Sequence, residues 1–237
     1  SYNNKKKGYD FMETMIKKIK ESEEFKKMFE CEQNNKNHFT DVGHHTMESV
    51  KYLNTMELDE ETREKIETVL LLHDIGKPEV KTTDDKGDHF YGHPQVSRKI
   101  AEKFTNDEII LNLIQHHDDE LISEEKIIKR YINKLGKDFP YKLLWLVKKC
   151  DIMGQHPTLR EEKLNQLTEY IIDFGEVLKE MKQIQLKDLA INGQDLISIG
   201  IKGKEIGNLL NGILKKVRIG TLKNEKKDIM KEVKKYI

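Results

Sequence analysis

The chain has 237 residues with 42 Lys+Arg against 42 Asp+Glu, so it is long enough for one large domain or a domain with a small appendage. Its zero net charge makes no general case for nucleic-acid binding, although a local basic face stays open because net charge averages over faces. Charged residues make up 35% and hydrophobic residues 36%, with no run near the roughly 20 apolar residues that span a bilayer. The start, Ser1-Tyr2-Asn3-Asn4-Lys5-Lys6-Lys7, lacks the apolar stretch of a secretory signal. Cys31 and Cys150 lie far apart, form no metal-type pair, and read as reduced thiols of a cytoplasmic protein.

Apolar residues recur at spacings of three and four along most of the chain. Phe11-Met15-Ile19 and Phe25-Met28-Phe29 predict an amino-terminal helical segment over 1–30. The same period continues in Ile66-Val69-Leu70-His73, Val96-Ile100-Phe104, Ile109-Ile110-Leu113-Ile114-His117, Tyr141-Leu144-Trp145-Lys148 and Leu164-Leu167-Ile171-Phe174-Leu178. Turn signals separate them at Gly76-Lys77-Pro78, Asp84 to Gly87, Gly136 and His156-Pro157. No alternating strand pattern of useful length occurs, so the expected fold class is all-α. After about residue 185 glycines become dense (Gly193, Gly200, Gly203, Gly207, Gly212, Gly220), which predicts a carboxy-terminal subdomain of short helices joined by tight turns. The expected division is therefore 1–30, 31–184 and 185–237.

Six residues carry metal-type chemistry: His45, the adjacent pair His73-Asp74, His93, His117 and Asp151. Imidazole and carboxylate without thiolate suit Mn, Fe, Ni, Co, Mg or Zn rather than a cysteine zinc site. His73, His117 and Asp151 each follow an apolar helical run, and helices converging on one core deliver such residues to one point. Any single histidine, taken alone, reads more readily as a satisfied core or surface residue, and Asp151 as a simple cap; their conjunction is what points to a metal. His44 competes with His45 for one role, and His116 with His117. His38, His89 and His156 stand as surface, ligand-orienting or substrate-side residues.

With those positions in view, the sequence resembles the HD phosphohydrolases, marked by a histidine, a His-Asp pair and a later aspartate. Here these are His45, His73-Asp74 and Asp151. The runs Asp41-Val42-Gly43-His44-His45-Thr46, Leu71-Leu72-His73-Asp74-Ile75-Gly76-Lys77-Pro78, Phe90-Tyr91-Gly92-His93, Ile114-Gln115-His116-His117-Asp118 and Cys150-Asp151-Ile152-Met153-Gly154-Gln155 are similar to the HD region of bacterial CCA-adding tRNA nucleotidyltransferases. Leu189 to Ile197 and Gly200 to Gly207 look like the carboxy-terminal helical module of the same enzymes. A Gly-Ser turn followed by an Asp-x-Asp pair, needed by their nucleotidyltransferase head, is not found, so the chain is expected to match the rear part of such an enzyme.

The resemblance implies an HD-domain helical fold over 31–184 with the carboxy-terminal module over 185–237. It implies that His45, His73, Asp74 and Asp151 hold one divalent ion, and that His93 and His117 join a second with Asp74 able to bridge. Such ions supply hydroxide at neutral pH. Lys77 would steady a phosphate, or simply complement a helix carboxyl end. Gln155, His156 and His44 can orient ligands, or serve as turn and surface residues. Arg98 would meet a leaving group or lie on a solvated face, while Asp118 and Asp119 stand as weak proton acceptors. Lys202, Lys204, Lys215, Lys216 and Arg218 would face RNA, or form a solvated lysine surface.

Three functions compete. The first is a phosphohydrolase on RNA ends, meaning 2′,3′-cyclic phosphates, 2′-nucleotides or terminal phosphates. The second is a hydrolase of free nucleotides or deoxynucleoside triphosphates. The third is a tRNA-binding partner of a separate nucleotidyltransferase head. No membrane partner is expected.

Overall fold

The structure, a computed structural model, describes residues 2–34 and 40–236, with the side chains of 2–11, 182 and 183 left aside. The side chain of Phe11, and His38 altogether, therefore lie outside the described residues. In chain order the helices are α1 (Tyr2–Glu21), α2 (Glu23–Met28), α3 (Val42–Leu53), α4 (Glu60–Leu72), α5 (Lys77–Val80), α6 (His93–Ala101), α7 (Glu108–His116), α8 (Glu125–Leu135), α9 (Tyr141–Gly154), α10 (Pro157–Gln183), α11 (Gly193–Ile197), α12 (Lys204–Arg218) and α13 (Lys226–Val233). A two-stranded hairpin, β1 (Thr82–Asp84) and β2 (Gly87–His89), interrupts them. The fold is all-α, as the periodicity predicts. The chain forms two compact units, residues 1–120 with 140–167 and residues 121–139 with 168–237.

In the first unit α3, α4, α7 and α9 pack on one another, with α6 against α7 and α1 against α4. Asp59 starts α4 by accepting a hydrogen bond from the Thr62 amide at 2.9 Å, and Glu60 and Glu61 complement the positive helix end. Four consecutive residues at the other end, Val69 to Leu72, have no exposed surface. A helix apolar on every side is surrounded on every side. Both residues of the next pair, His73 and Asp74, are consequently buried as well.

Two glycines permit the approaches that bring other helices to this end. A Cβ on Gly76 would sit 2.6 Å from the Ser97 amide nitrogen and 3.0 Å from the His93 carbonyl oxygen, so α6 touches the turn after α4. A Cβ on Gly154 would lie 2.3 Å from Ser49 Oγ and 2.7 Å from the His45 carbonyl oxygen, so α9 meets α3 backbone to backbone.

The hairpin was not legible as strands, because three residues each are too few to alternate. Its turn was, at Asp84 to Gly87. The pairing is antiparallel, with Thr82 opposite His89 and Thr83 opposite Asp88. Asp88 is the brace: its buried carboxylate accepts from Thr83 Oγ1 at 2.6 Å and the Asn34 amide at 2.9 Å, and pairs with Lys81 Nζ at 2.9 Å.

The second unit has its own core, built around Leu196, Ile213, Leu214, Val217, Ile229 and Val233. Here one expectation is corrected. Gly207 and Gly212 do not separate short helices but lie inside the 15-residue α12, while Gly200, Gly203 and Gly220 do adopt positive φ at turns. Two glycines cost a helix roughly 1 kcal/mol each, and the continuous apolar face from Ile206 to Val217 offsets that by burial.

Gly154→Ala is expected to lower stability by roughly 1–3 kcal/mol through overpacking of α3 against α9. Chemical denaturation measures this, and a variant as stable as the parent would mean the two helices do not meet that closely.

Candidate metal centre

The end of α4 is the meeting point of five helices' side chains. His45 comes from the first turns of α3, His73 and Asp74 from the end of α4, His93 from the first residue of α6, His117 from the end of α7, and Asp151 from the last turn of α9. One ligand-type atom from each of His45, His73, Asp74 and Asp151 lies within 4.8 Å of the others, and Asp74, His93 and His117 form a second such group. Asp74 belongs to both.

Three of the imidazoles are oriented identically. The Nδ1 of His73 lies 2.6 Å from the Leu70 carbonyl oxygen, that of His93 2.9 Å from Phe90, and that of His117 2.7 Å from Ile114. A carbonyl only accepts, so each Nδ1 carries the proton and donates it. In the neutral ring this leaves a lone pair on Nε2, directed into the cluster. For His73 and His117, at the ends of α4 and α7, the acceptors are carbonyls that the helix terminus leaves without a partner.

The consequence is a set of Nε2 atoms and carboxylate oxygens that converge on one point. His93 Nε2 and His117 Nε2 face each other at 3.2 Å. Asp151 Oδ1 lies 2.8 Å from His45 Nε2 and 3.2 Å from His73 Nε2. The buried Asp74 carboxylate has Lys77 Nζ at 2.7 Å, His93 Nε2 at 3.1 Å, His73 Nε2 at 3.3 Å and His117 Nε2 at 3.5 Å. These are ion-pair distances, yet neither oxygen accepts a hydrogen bond of good direction. Two under-satisfied carboxylate oxygens amid converging imidazole nitrogens fit a divalent cation of the N/O-ligated kind.

Electrostatics agrees. Burial by itself would raise Asp74 and Asp151, but His73 and Lys77 hold Asp74, and His45 and His73 hold Asp151, well below the usual carboxylate range. Burial would likewise lower His73, but the Asp74 and Asp151 carboxylates outweigh it and raise it to about 10. His117 is pushed down by burial, with the charge of His73 adding to the fall, against the pull of Asp74. At neutral pH the cluster of bare side chains therefore holds a proton that an arriving cation must displace.

Asp74, His93, His117 and Asp151 line a cleft of about 690 Å³, together with Lys77, Asp118 and residues of the hairpin. Lys77 is buried rather than solvated, hydrogen-bonded to Gln33 Oε1 at 2.9 Å and placed 5.3 Å over the Phe90 ring. Gln155 Nε2 donates to Asp151 Oδ2 at 2.9 Å, and its Oε1 accepts from Lys163. Gln155 thus ties the outer oxygen of Asp151 to the following helix.

Other expected residues are not brought in. His44, 65% exposed at its side chain, pairs with its own cap Asp41 at 2.6 Å. His116 pairs with Asp119 at 2.7 Å, and His156 with Thr158. Arg98 bonds Asn112 and Glu108 at 2.9 Å each and is not among the cleft-lining residues. In the second unit Lys216 is paired with Glu232 and Arg218 with the Ile184 carbonyl, while Lys202, Lys204 and Lys215 are exposed. Sequence reasoning missed Lys163, on the cleft lining eight residues beyond Gln155, and Gln33, which holds Lys77 from 44 residues before it. No local pattern announces either.

Fold and site together define an all-helical protein with a buried histidine–aspartate centre of metal-binding type opening on a cleft. The family model described as HD domain matches residues 42–171, and the chain belongs to that family, whose members are metal-dependent hydrolases. A second model, tRNA nucleotidyltransferase domain 2, matches residues 144–233. No curated protein and no solved structure matches the chain. Among the described residues no helix is long and apolar enough to cross a membrane.

Since His73 stays protonated up to about pH 10 in the bare cluster, divalent-cation binding at neutral pH should release protons, and affinity should rise with pH. Calorimetric titration of Mn(II) at pH 7 in buffers of differing ionisation enthalpy reads this directly, and buffer-independent heats would refute it. In the same titration Gln155→Ala is expected to weaken Mn(II) binding roughly 10- to 100-fold, as loss of a ligand-orienting partner does. His44→Ala is expected to leave it unchanged, and a reversed order would mean that the wrong neighbours are assigned.

Proposed function

We propose that the chain is a phosphohydrolase that uses metal-activated water on phosphate esters at RNA ends: 2′,3′-cyclic phosphates, 2′-nucleotides or terminal phosphates. The observation that carries the reading is Asp74, shared between two groups of metal-type side chains and opening beside Lys77 into a cleft of about 690 Å³. The tRNA nucleotidyltransferase domain 2 match supports RNA as the substrate class.

In this reading His45, His73, Asp74 and Asp151 hold one divalent ion, and Asp74, His93 and His117 a second. When bound, such an ion lowers the pKa of its water to roughly 7 and so supplies a nucleophile at neutral pH. Lys77, fixed by Gln33 and Asp74, sets a positive charge on the cleft wall for phosphate oxygens. Gln155 keeps Asp151 aimed into the centre. Asp118, on the cleft lining, accepts a proton from the attacking side. Water oxygen bonds to phosphorus as the ester P–O bond breaks, and the departing oxygen takes up a proton. Arg98 has no part, being engaged with Asn112 and Glu108. A cytoplasmic enzyme fits this reading, in keeping with the free, buried Cys31 and Cys150. It also makes tRNA, or a separate nucleotidyltransferase head, the natural partner.

The test is hydrolysis of 2′,3′-cyclic AMP, 2′-AMP, 3′-AMP and dATP after chelation and re-addition of Mn, Ni, Co or Mg. Metal-dependent turnover of the cyclic or 2′ substrates is expected, together with loss of at least about a thousandfold in Asp74→Ala at retained helicity. Preference for dATP or 3′-AMP would instead point to free-nucleotide hydrolysis. Absence of turnover with every metal, combined with tRNA binding that survives Asp74→Ala, would leave the tRNA-binding role.

A further inference from the structure

Tyr91 is, at 79%, the most exposed of the large hydrophobic side chains among the described residues. A single exposed aromatic is ordinary on a protein surface, so its place and orientation are what count. Its position is not incidental, because Tyr91 is one of the residues lining the cleft that holds Asp74, His93 and His117.

The ring is also held in place. It stacks on His89, with centroids 5.3 Å apart and planes inclined by 7°. His89 is itself fixed, its Nε2 lying 2.8 Å from Asp84 Oδ1 across the hairpin. The Asp84 carboxylate only accepts, so that nitrogen donates, and His89 Nδ1 is left to accept from the Tyr91 hydroxyl at 3.4 Å. Beneath this pair Asp88 is clamped by Thr83, Lys81 and the Asn34 amide, which keeps the whole hairpin against the first unit. The His89 imidazole thus backs part of one face of Tyr91, and most of the ring stays exposed on the cleft lining. An oriented, exposed aromatic ring is what a flat heterocycle stacks on, and such stacking is tolerant of which base is offered. Lys86, in the hairpin turn and also on the cleft lining, adds a cation for the anionic backbone of the same ligand.

We propose that Tyr91, stacked on His89, is a nucleobase platform, so that the cleft takes a nucleoside phosphate with its phosphate at the Asp74–Lys77 floor and its base against Tyr91. This deepens the function proposed above and rests on the floor of the cleft being a phosphate site. What it adds to that reading is the residue that receives the base of the terminal nucleotide. Recognition comes from stacking rather than from hydrogen bonds to base edges, so purines, with the larger surface, are favoured over pyrimidines without strict base choice.

The experiment compares two non-hydrolysable probes on the Mn(II)-loaded protein, the phosphonate analogue of adenosine monophosphate and the phosphonate analogue of ribose phosphate lacking the base. Calorimetry gives both affinities for the parent, Tyr91→Phe and Tyr91→Ala. The parent and Tyr91→Phe are expected to prefer the adenine probe by at least about fivefold, the low end of base–aromatic stacking. In Tyr91→Ala that preference is expected to fall to about one. Two results overturn the platform while leaving the phosphate site standing: a parent that binds both probes equally, or a Tyr91→Ala variant that keeps the parent's preference. Failure of both probes to bind the parent removes the phosphate reading itself, and the platform with it.

Discussion

Burying a carboxylate at the carboxyl end of an apolar helix combines two unfavourable terms. The charge leaves water, at an effective cost of several kcal/mol, and it sits where the α4 dipole already concentrates negative charge. Asp74 meets both conditions, since four fully buried residues precede the His73-Asp74 pair. The arrangement is stable only if positive charge is brought in from elsewhere. Lys77, held one turn away, supplies part of it. Neighbouring imidazoles complete it: His73, between the Asp74 and Asp151 carboxylates, is held protonated in the bare cluster, and the donor set as a whole suits a divalent cation. Helix crossings, tight glycines and ring tautomers in the first unit all serve to deliver those groups to one carboxylate.

That requirement explains why the close approaches fall where they do. Gly76 lets α6 start against the turn after α4, which puts His93 beside Asp74. Gly154 lets α9 settle on the α3 backbone, which puts Asp151 against His45. Neither glycine adopts a positive φ; each is required by space, not by backbone conformation. The tautomers follow the same logic. Helix ends leave carbonyls without partners, and His73 and His117 satisfy them through Nδ1 while turning Nε2 inward.

The cleft divides its work between rigid floor and built-on rim. Metal-type side chains come from long helices with packed cores, whereas Lys86, His89, Phe90 and Tyr91 come from the hairpin and the loop before α6. Helical placement gives the floor its precision. The hairpin stands on a single buried carboxylate, Asp88, whose pKa is drawn far below the usual range by Thr83, Lys81 and the Asn34 amide.

Much of this was readable from sequence, because it depends on local spacing and on residue chemistry. Periodicity of three and four identifies the helices, since it reports directly which face of a segment is apolar. The six metal-type residues could be named because histidine and aspartate at the ends of apolar helices have few other uses in combination. Spacing alone leaves His44 and His45 competing; the family resemblance favours His45, and the packing of α3 on α9 is what turns that ring inward. Gly207 and Gly212 read as turns because glycine is a poor helix former, yet burial of the α12 apolar face overrides that preference. Lys163, Gln33 and the Tyr91–His89 stack were invisible, because their partners come from contacts that no spacing encodes. Sequence determined the class of fold and the elements of the chemistry; tertiary structure alone decided which atoms meet, since that depends on how helices distant in the chain share one core.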